Sequence, residues 1–273
     1  MGILNVTPDS FSGDGLLAGE GSGGQDHVAR IVDVARAMAA EGADILDVGG
    51  ESTRPGHEAV DESEELRRVA PVIAALHDAL PDVPLSVDTT KPAVAEAALA
   101  AGADIVNDIW GVAADEALSR IAAAHDAPII LMHNRAEAVY ANLVAEVIAD
   151  LEAAIDRAHR AGVGWDKIIV DPGIGFGKTA EHNLALLREL DALLVLGRPI
   201  LLGTSRKSTI GKVLDLPADE RLEGTLATTA LGIAAGVDIV RVHDVRANVR
   251  AARMADAIIR GTAPAVLSEG GSR

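Results

Sequence analysis

Eight short apolar runs recur along the chain, and most end on a side chain able to do chemistry. They are Gly2-Ile3-Leu4-Asn5, Ala43-Asp44-Ile45-Leu46-Asp47-Val48, Leu85-Ser86-Val87-Asp88, Asp104-Ile105-Val106-Asn107-Asp108, Ile129-Ile130-Leu131-Met132-His133, Ile168-Ile169-Val170-Asp171, Ile200-Leu201-Leu202-Gly203-Thr204 and Asp238-Ile239-Val240-Arg241-Val242-His243. Helical spacing fills the intervals 25–41, 61–80, 92–101, 114–126, 142–161, 180–196, 220–235 and 245–261. The runs are near-continuously apolar, as expected of parallel strands covered on both faces. Eight strands alternating with eight helices predict an α/β fold, a (β/α)8 TIM barrel, in a single domain over 1–273 with a frayed tail from about 262. An open doubly wound sheet is the competing architecture, and the even count of units favours closure.

Three segments repeat one joint: Glu41-Gly42-Ala43-Asp44, Ala101-Gly102-Ala103-Asp104 and Ala235-Gly236-Val237-Asp238. Each sets a glycine after an Ala-rich helix, where a left-handed cap ends the helix before a strand begins. In a closed barrel the C-terminal strand ends open onto one face, where ligands are handled. Asn5, Asp88, Asn107, Asp171, Arg241 and His243 are therefore expected to converge. Two long irregular segments, 9–24 and 49–60, follow the first two strands; the first holds six glycines and is predicted to be a mobile lid.

Composition narrows the function. With 273 residues and 49% of them hydrophobic, the chain can bury a large core, but with only two Phe, two Trp and one Tyr that core is built from Ala, Val, Ile and Leu. A formal charge of −17 argues against nucleic acid, whose phosphates draw on clustered Lys and Arg. No run is long enough to span a membrane and no signal-type leader is visible, so a cytoplasmic protein without a membrane partner is expected. The absence of cysteine removes disulfides and thiolate metal sites, and no HExxH pattern suggests zinc. His77, His125, His159 and His182 fall on predicted helices and read as surface residues.

Several motifs bear on chemistry. Gly177-Lys178-Thr179 resembles the end of a P-loop, but Pro172 stands where that pattern requires glycine, so the stretch from Asp171 reads as an aspartate presented by a tight glycine turn. Gly203-Thr204-Ser205-Arg206-Lys207-Ser208 follows the seventh strand, where barrels often hold phosphate. Its alternatives are a solvated basic loop and a Schiff-base lysine. Arg241 and His243 alternate and so point the same way, and Arg54 adds a guanidinium beside Ser52 and Thr53. Asp88 and Asp171 suit a general acid or base, a metal ligand, a substrate reader or a helix cap. Both Phe11 and Phe176 sit in loops, as if to cover a flat ligand.

The order of these motifs resembles dihydropteroate synthase. The resemblance rests on Met1 to Ser12, Asp47 to Gly56, Ser86-Val87-Asp88-Thr89, Asn107-Asp108-Ile109, Leu131-Met132-His133, Asp171 to Phe176, Ser205-Arg206-Lys207-Ser208 and Arg241 to Val245. It implies joining of 4-aminobenzoate to 6-hydroxymethyl-7,8-dihydropterin diphosphate with release of pyrophosphate, a Mg2+-assisted step of folate biosynthesis in a homodimer, and a sulfonamide target. Carried over by resemblance, Asp88, Asn107, Asp171 and Lys207 would hold the pterin. Arg241, His243, Asn5, Thr53 and Arg54 would face the diphosphate, with Asn5 near the metal. Phe11, Pro55, Phe176 and Ser208 would border the aminobenzoate, and Met132 joins the substrate-binding set. Asp88, Lys207, Arg241 and His243 would be the catalytic group. The chain departs from the family at Gly13-Asp14-Gly15, at Thr209 and at Asn134-Arg135. The rival readings are a pterin-binding corrinoid methyltransferase and a non-catalytic pterin-binding subunit.

Overall fold

The computed structural model describes residues 1–6, 24–51, 60–111, 113 and 115–261. Phe11, Thr53, Arg54 and Pro55, the expected lid and the expected frayed tail lie outside the described residues. The first half of the chain runs β1 (Gly2–Asn5), α1 (Gly24–Ala40), β2 (Leu46–Gly49), α2 (Glu62–Ala79), β3 (Leu85–Asp88), α3 (Pro92–Ala100), β4 (Ile105–Asp108) and α4 (Ala117–Ala124). The second runs β5 (Ile129–Met132), α5 (Leu143–Arg160), β6 (Ile168–Asp171), α6 (Ala180–Arg188), β7 (Leu201–Leu202), α7 (Ser208–Leu214), α8 (Leu222–Ala234), β8 (Ile239–Val240) and α9 (Val245–Ile259).

Strands β1 to β6 pair in chain order as one parallel sheet, and β7 pairs in parallel with β8. Two further parallel bridges, Val170 to Ile200 and Gly2 to Val242, join the two pieces at both seams. The result is a closed (β/α)8 barrel, and the open-sheet alternative falls. All eight expected helices are present among the described residues. The interval 180–196 divides into α6 and a 3-10 turn over Leu190–Leu196, and α7 is an addition that the sequence spacing did not predict.

Alternation along each strand sorts side chains onto two faces. Leu46, Val48, Leu85, Val87, Val106, Ile129, Leu131, Ile168, Val170, Ile200 and Leu202 face outward, where they join Ile31, Ile73, Leu76, Leu151 and other helix residues in the main core. Met1, Ile45, Ile105, Ile130, Ile169, Leu201 and Ile239 form a separate cluster that fills the barrel interior. Each large aliphatic side chain fully buried this way is worth ~1.5–3 kcal/mol. Both faces being apolar explains why the strands read as unbroken hydrophobic runs.

The repeated joint has a steric reason. Gly42, Gly102 and Gly236 adopt φ of +102°, +107° and +99°, and Gly162 makes a fourth copy at +108°. At Gly102 a Cβ would also come within 2.5 Å of the His77 ring. A helix thus turns into its strand without strain only where no side chain is present. Among the described residues, no helix is long and apolar enough to cross a membrane.

Candidate active site

Two residues beyond the interior plug, on the same inward face of the same strands, stand Asp47, Asn107, Met132, Asp171, Gly203 and Arg241. Register brings the ends together: Asn5 is paired with Gly49, Gly49 with Asp88, Asp88 with Asn107, and Met132 with Asp171. A Cβ built on Gly203 would lie 3.8 Å from Lys207 Nζ, 3.9 Å from Asp171 Oδ2 and 4.0 Å from Arg241 Cβ, so three elements meet at one point. The predicted convergence is thereby realised for every described member.

Ion pairs organise this mouth. Arg241 Nε donates to Asp47 Oδ2 at 2.6 Å and its Nη2 to Asp88 Oδ2 at 2.7 Å. Asp47, fully buried, also accepts from Asn107 Nδ2 at 3.2 Å, which aims the Asn107 carbonyl oxygen away from the carboxylate. Asp171 Oδ1 accepts the Gly173 N–H at 2.7 Å. Lys207 Nζ donates to the Ile174 carbonyl and stands 4.6 Å from the centre of the Phe176 ring, a cation–π contact. His243 Nδ1 lies 2.9 Å from Ser205 Oγ. Among the described residues, the buried Asp88 Oδ1 has no hydrogen-bond partner.

Desolvation dominates the electrostatics. Burial pushes the Asp88 carboxyl up to about 7, opposed by Arg241 and reinforced by Asp47 and Glu65. Burial also raises Asp171, against the pull of Lys207. The Lys207 ammonium is pushed down to about 8 by burial, with Asp171 resisting. Arg241 rises despite its own desolvation, because Asp47 and Asp88 flank it. Three carboxylates therefore share two fixed cations in a low-dielectric mouth, an arrangement that perturbs proton affinities as functional sites do.

Two adjoining cavities share Gly175 and Phe176. One, of about 280 Å3, is lined by Asn5, Lys207, Ser208, Arg241 and His243 among others. The other, of about 340 Å3, is lined by Asp88, Thr89, Trp110, Asn134 and Arg135 among others. The first is cationic, and the second carries the carboxylates of Glu51, Glu65 and Asp88. No group of three or more acids or histidines able to cage a metal occurs among the described residues. What the mouth does offer is the Asn5 amide oxygen next to the Asp88 carboxylate, with Asn5 also lining the cationic cavity. That fits magnesium, which typically takes one or two protein oxygens and completes its shell with substrate phosphates and water.

Comparison with known proteins bears on this geometry. Residues 1–243 match the family described as pterin binding enzyme. The dihydropteroate synthase of Clostridium beijerinckii is 51% identical over 261 residues, covering 95% of this chain and 94% of that protein. The chain belongs to the dihydropteroate synthases. A solved dihydropteroate synthase from Clostridium difficile, determined in the presence of pteroic acid, aligns with TM-score 0.89 at 50% identity over 95% of each chain. The Xanthomonas albilineans dihydropteroate synthase with 4-aminobenzoic acid aligns with TM-score 0.87 at 42% identity, covering 96% of this chain and 93% of that one.

Within this dihydropteroate synthase barrel, Asn5, Asp88, Asn107, Met132, Asp171, Lys207, Arg241 and His243 gather at the mouth, with Phe176 and Ser208 on the cavity wall. Arg206 lines the cationic cavity with Lys207, but its guanidinium is already engaged. Its guanidinium makes a two-point pair with Asp244, 2.9 and 2.5 Å, that ties the loop to α9. The sequence reading missed Asp47, which sits inside the second apolar run rather than at its end. The available signal was an acid between Leu46 and Val48, since those two must face the helices and so turn Asp47 inward. His182, read as a surface residue, completes a capping box with Thr179 at the start of α6.

Proposed function

We propose that the chain condenses 6-hydroxymethyl-7,8-dihydropterin diphosphate with 4-aminobenzoate, giving 7,8-dihydropteroate and pyrophosphate in folate biosynthesis. The protein is thus a transferase of a pterinylmethyl group. The observation that carries the reading is Arg241 spanning Asp47 and Asp88 beside Asn107, with Asp171 and Lys207 across from it. Such a mouth matches a ring bearing donors and acceptors at one side and an anionic leaving group at the other.

In this reading Asp171 and the free carbonyl of Asn107 take up the amino-pyrimidinone edge, with Met132 beneath the ring and Lys207 near its oxygen. Arg241 and His243, with Thr53 and Arg54 of the second loop, face the diphosphate. Breaking the methylene C–O bond leaves a cation delocalised into the electron-rich dihydropterin. Asp88 Oδ1, buried and without a hydrogen-bond partner among the described residues, is suited to stabilise that cation, while Lys207 and Arg241 stabilise the departing anion. Mg2+, held by Asn5 and the phosphate oxygens, would supply further neutralisation of the leaving group. The arylamine, bordered by Phe11, Pro55, Phe176 and Ser208, then attacks the cation carbon, and no covalent enzyme intermediate is needed.

The corrinoid methyltransferase and non-catalytic readings give no use to the cationic cavity of Lys207, Arg241 and His243. Release of pyrophosphate from both substrates and Mg2+ tests the assignment directly; binding of pterin without pyrophosphate release would favour the rivals. We also read the protein as a cytoplasmic homodimer. A diphosphate ester does not cross a membrane unaided, and Leu231 on α8 and Met254 on α9 are 69% and 62% exposed, apolar surface available to a second copy. Sedimentation velocity checks the second point.

A further inference from the structure

The glycine turn after β6 holds a second inward-turned lysine, which the reaction above does not use. Lys178 Nζ lies 2.8 Å from His133 Nδ1, 3.1 Å from the Gly173 carbonyl oxygen and 3.1 Å from the Phe176 carbonyl oxygen, with the His133 carbonyl oxygen farther off at 3.4 Å. An ammonium has three N–H donors, and here it has three close acceptors. His133 is fully buried at the end of β5, and its Nε2 is 3.1 Å from Asp150 Oδ2 on α5. That carboxylate also accepts from Arg135 Nε and Nη2, at 2.9 and 2.7 Å.

Desolvation and the neighbouring Lys178 push the His133 imidazole down to about 4, so the ring is neutral at physiological pH. A neutral ring has one donor and one acceptor: Nε2–H donates to Asp150, and Nδ1 accepts from Lys178. Carboxylate, imidazole and ammonium thus form one polarised chain from α5 to the turn.

The turn is pressed onto the segment after β5. A Cβ on Gly173 would meet the His133 carbonyl oxygen at 1.8 Å, and one on Gly177 would meet that of Arg135 at 2.3 Å. Tyr140 adds a hydrogen bond of 2.8 Å from its hydroxyl to the Gly177 carbonyl oxygen. Lys178 spans the layered strands of chain and holds two carbonyls of the turn. The same two residues set the pocket wall: Gly173 N–H grips the Asp171 carboxylate, and Phe176 carries the ring that lies against Lys207.

We propose that Lys178 is a positioning residue of the pterin pocket, its ammonium clasping the 171–178 turn to His133 and thereby fixing how Asp171 and Phe176 are presented to substrate. The inference rests on the reading of Asp171 as the partner of the pterin edge. Deprotonation would leave two donors for three acceptors and turn a lone pair toward one of them, loosening the clasp. The groups facing Lys178 are Asp171, Lys207, Arg135, Asp150 and His133. Desolvation brings its proton affinity down to about 7, so the clasp holds below neutrality and weakens above it.

The test uses the full chain and 6-hydroxymethylpterin as probe, with its Kd measured by calorimetry from pH 6 to 9 and kinetics measured with the diphosphate substrate. Lys178→Met should raise the pterin Kd and KM about tenfold at pH 6.5 while kcat changes less than threefold. Its Kd should lose part of the rise that the unaltered chain shows above pH 7. Lys178→Gln, with two donors and no titration, should be intermediate in Kd and equally flattened; it decides the matter if the Met variant does not fold. A wild-type Kd and pH slope in either folded variant overturns the proposal, as does a pH-independent Kd in the unaltered chain. Asp171→Ala separates the two levels: if it binds the probe normally, the pterin reading itself fails, whereas loss of binding there with normal Lys178 variants rejects only the clasp.

Discussion

The inside of the barrel has two layers, built by the same strands two residues apart, and they have opposite physics. The lower is Ile45, Ile105, Ile130, Ile169, Leu201 and Ile239, closely packed and apolar but for the buried Ser86 hydroxyl that β3 contributes beside Ile105. The upper, displaced by about 6.5 Å of strand rise, is Asp47, Asn107, Met132, Asp171, Gly203 and Arg241. The lower layer gains from leaving water. In the upper, desolvation works against the ionised form of each of Asp88, Asp171, Lys207 and Arg241. Stability and chemistry are thus separated by a single repeat of the strand, the first layer supplying the rigid floor on which the second is held.

Substitutions can break or sharpen that contrast. The largest effect is expected at Lys207→Ala, which should lower pyrophosphate release by about 10²–10³-fold and weaken binding of the pterin diphosphate. Its melting temperature should change little, the gain from removing a desolvated ammonium being offset by leaving Asp171 buried without that cation. Wild-type kinetics in this variant would take Lys207 out of the site. Ile130→Ala, in the floor, should do the reverse: a loss of ~2–5 kcal/mol in denaturant unfolding, with KM unchanged well below the melting point. A KM rising as strongly as stability falls would show that the layers are not separable.

Smaller effects probe the seam between the layers. Asp47→Asn removes the carboxylate that orients both Arg241 and Asn107, and charged hydrogen bonds of this kind are worth ~1.5–3 kcal/mol. Pterin KM should rise roughly ten- to a hundredfold by the same principle, and an unchanged KM would reduce Asp47 to a bystander. The pH dependence of stability gives a gentler test. Asp88 holds its proton more tightly folded, at about 7, than unfolded, at about 3.9. Its contribution is fully present below the unfolded value and declines as pH rises toward 7. Asp88→Asn should flatten that decline, by on the order of 1 kcal/mol, in melts at pH 5 and pH 8. Least of all, chelating Mg2+ should weaken diphosphate-dependent binding and leave the far-UV circular dichroism unchanged; a collapse of that signal would make the metal structural.

Much of this contrast was legible in the residue order. Eight apolar runs, all but the second closing on a polar side chain, give both the barrel and most of its mouth, because strand ends are marked by the change from buried to functional positions. Reading only the ends hides Asp47, whose neighbours Leu46 and Val48 disguise it as strand interior. Lys178 was hidden differently. Its motif looked like a failed nucleotide loop, and although two of its acceptors are carbonyls of its own turn, the third is a histidine from the segment after β5, a contact no local pattern encodes. Arg206 and Lys207 look equivalent in sequence and line the same cavity, yet the guanidinium of the first is paired with Asp244 while the ammonium of the second lies beside Asp171 and Arg241. The unpredicted α7 begins at Ser208 with no side-chain cap, so the usual start signal was missing.

The seam between β1 and the end of β8 has a consequence for synthesis. Gly2 bridges to Val242, and the Met1 amine donates to the Val240 carbonyl oxygen across 239 positions of sequence. A nascent chain cannot seal the ring until residue 242 has left the ribosome. Until then β1 offers an unpaired edge to any neighbouring polypeptide, so the stage of translation just before residue 242 emerges is when this protein most depends on chaperones.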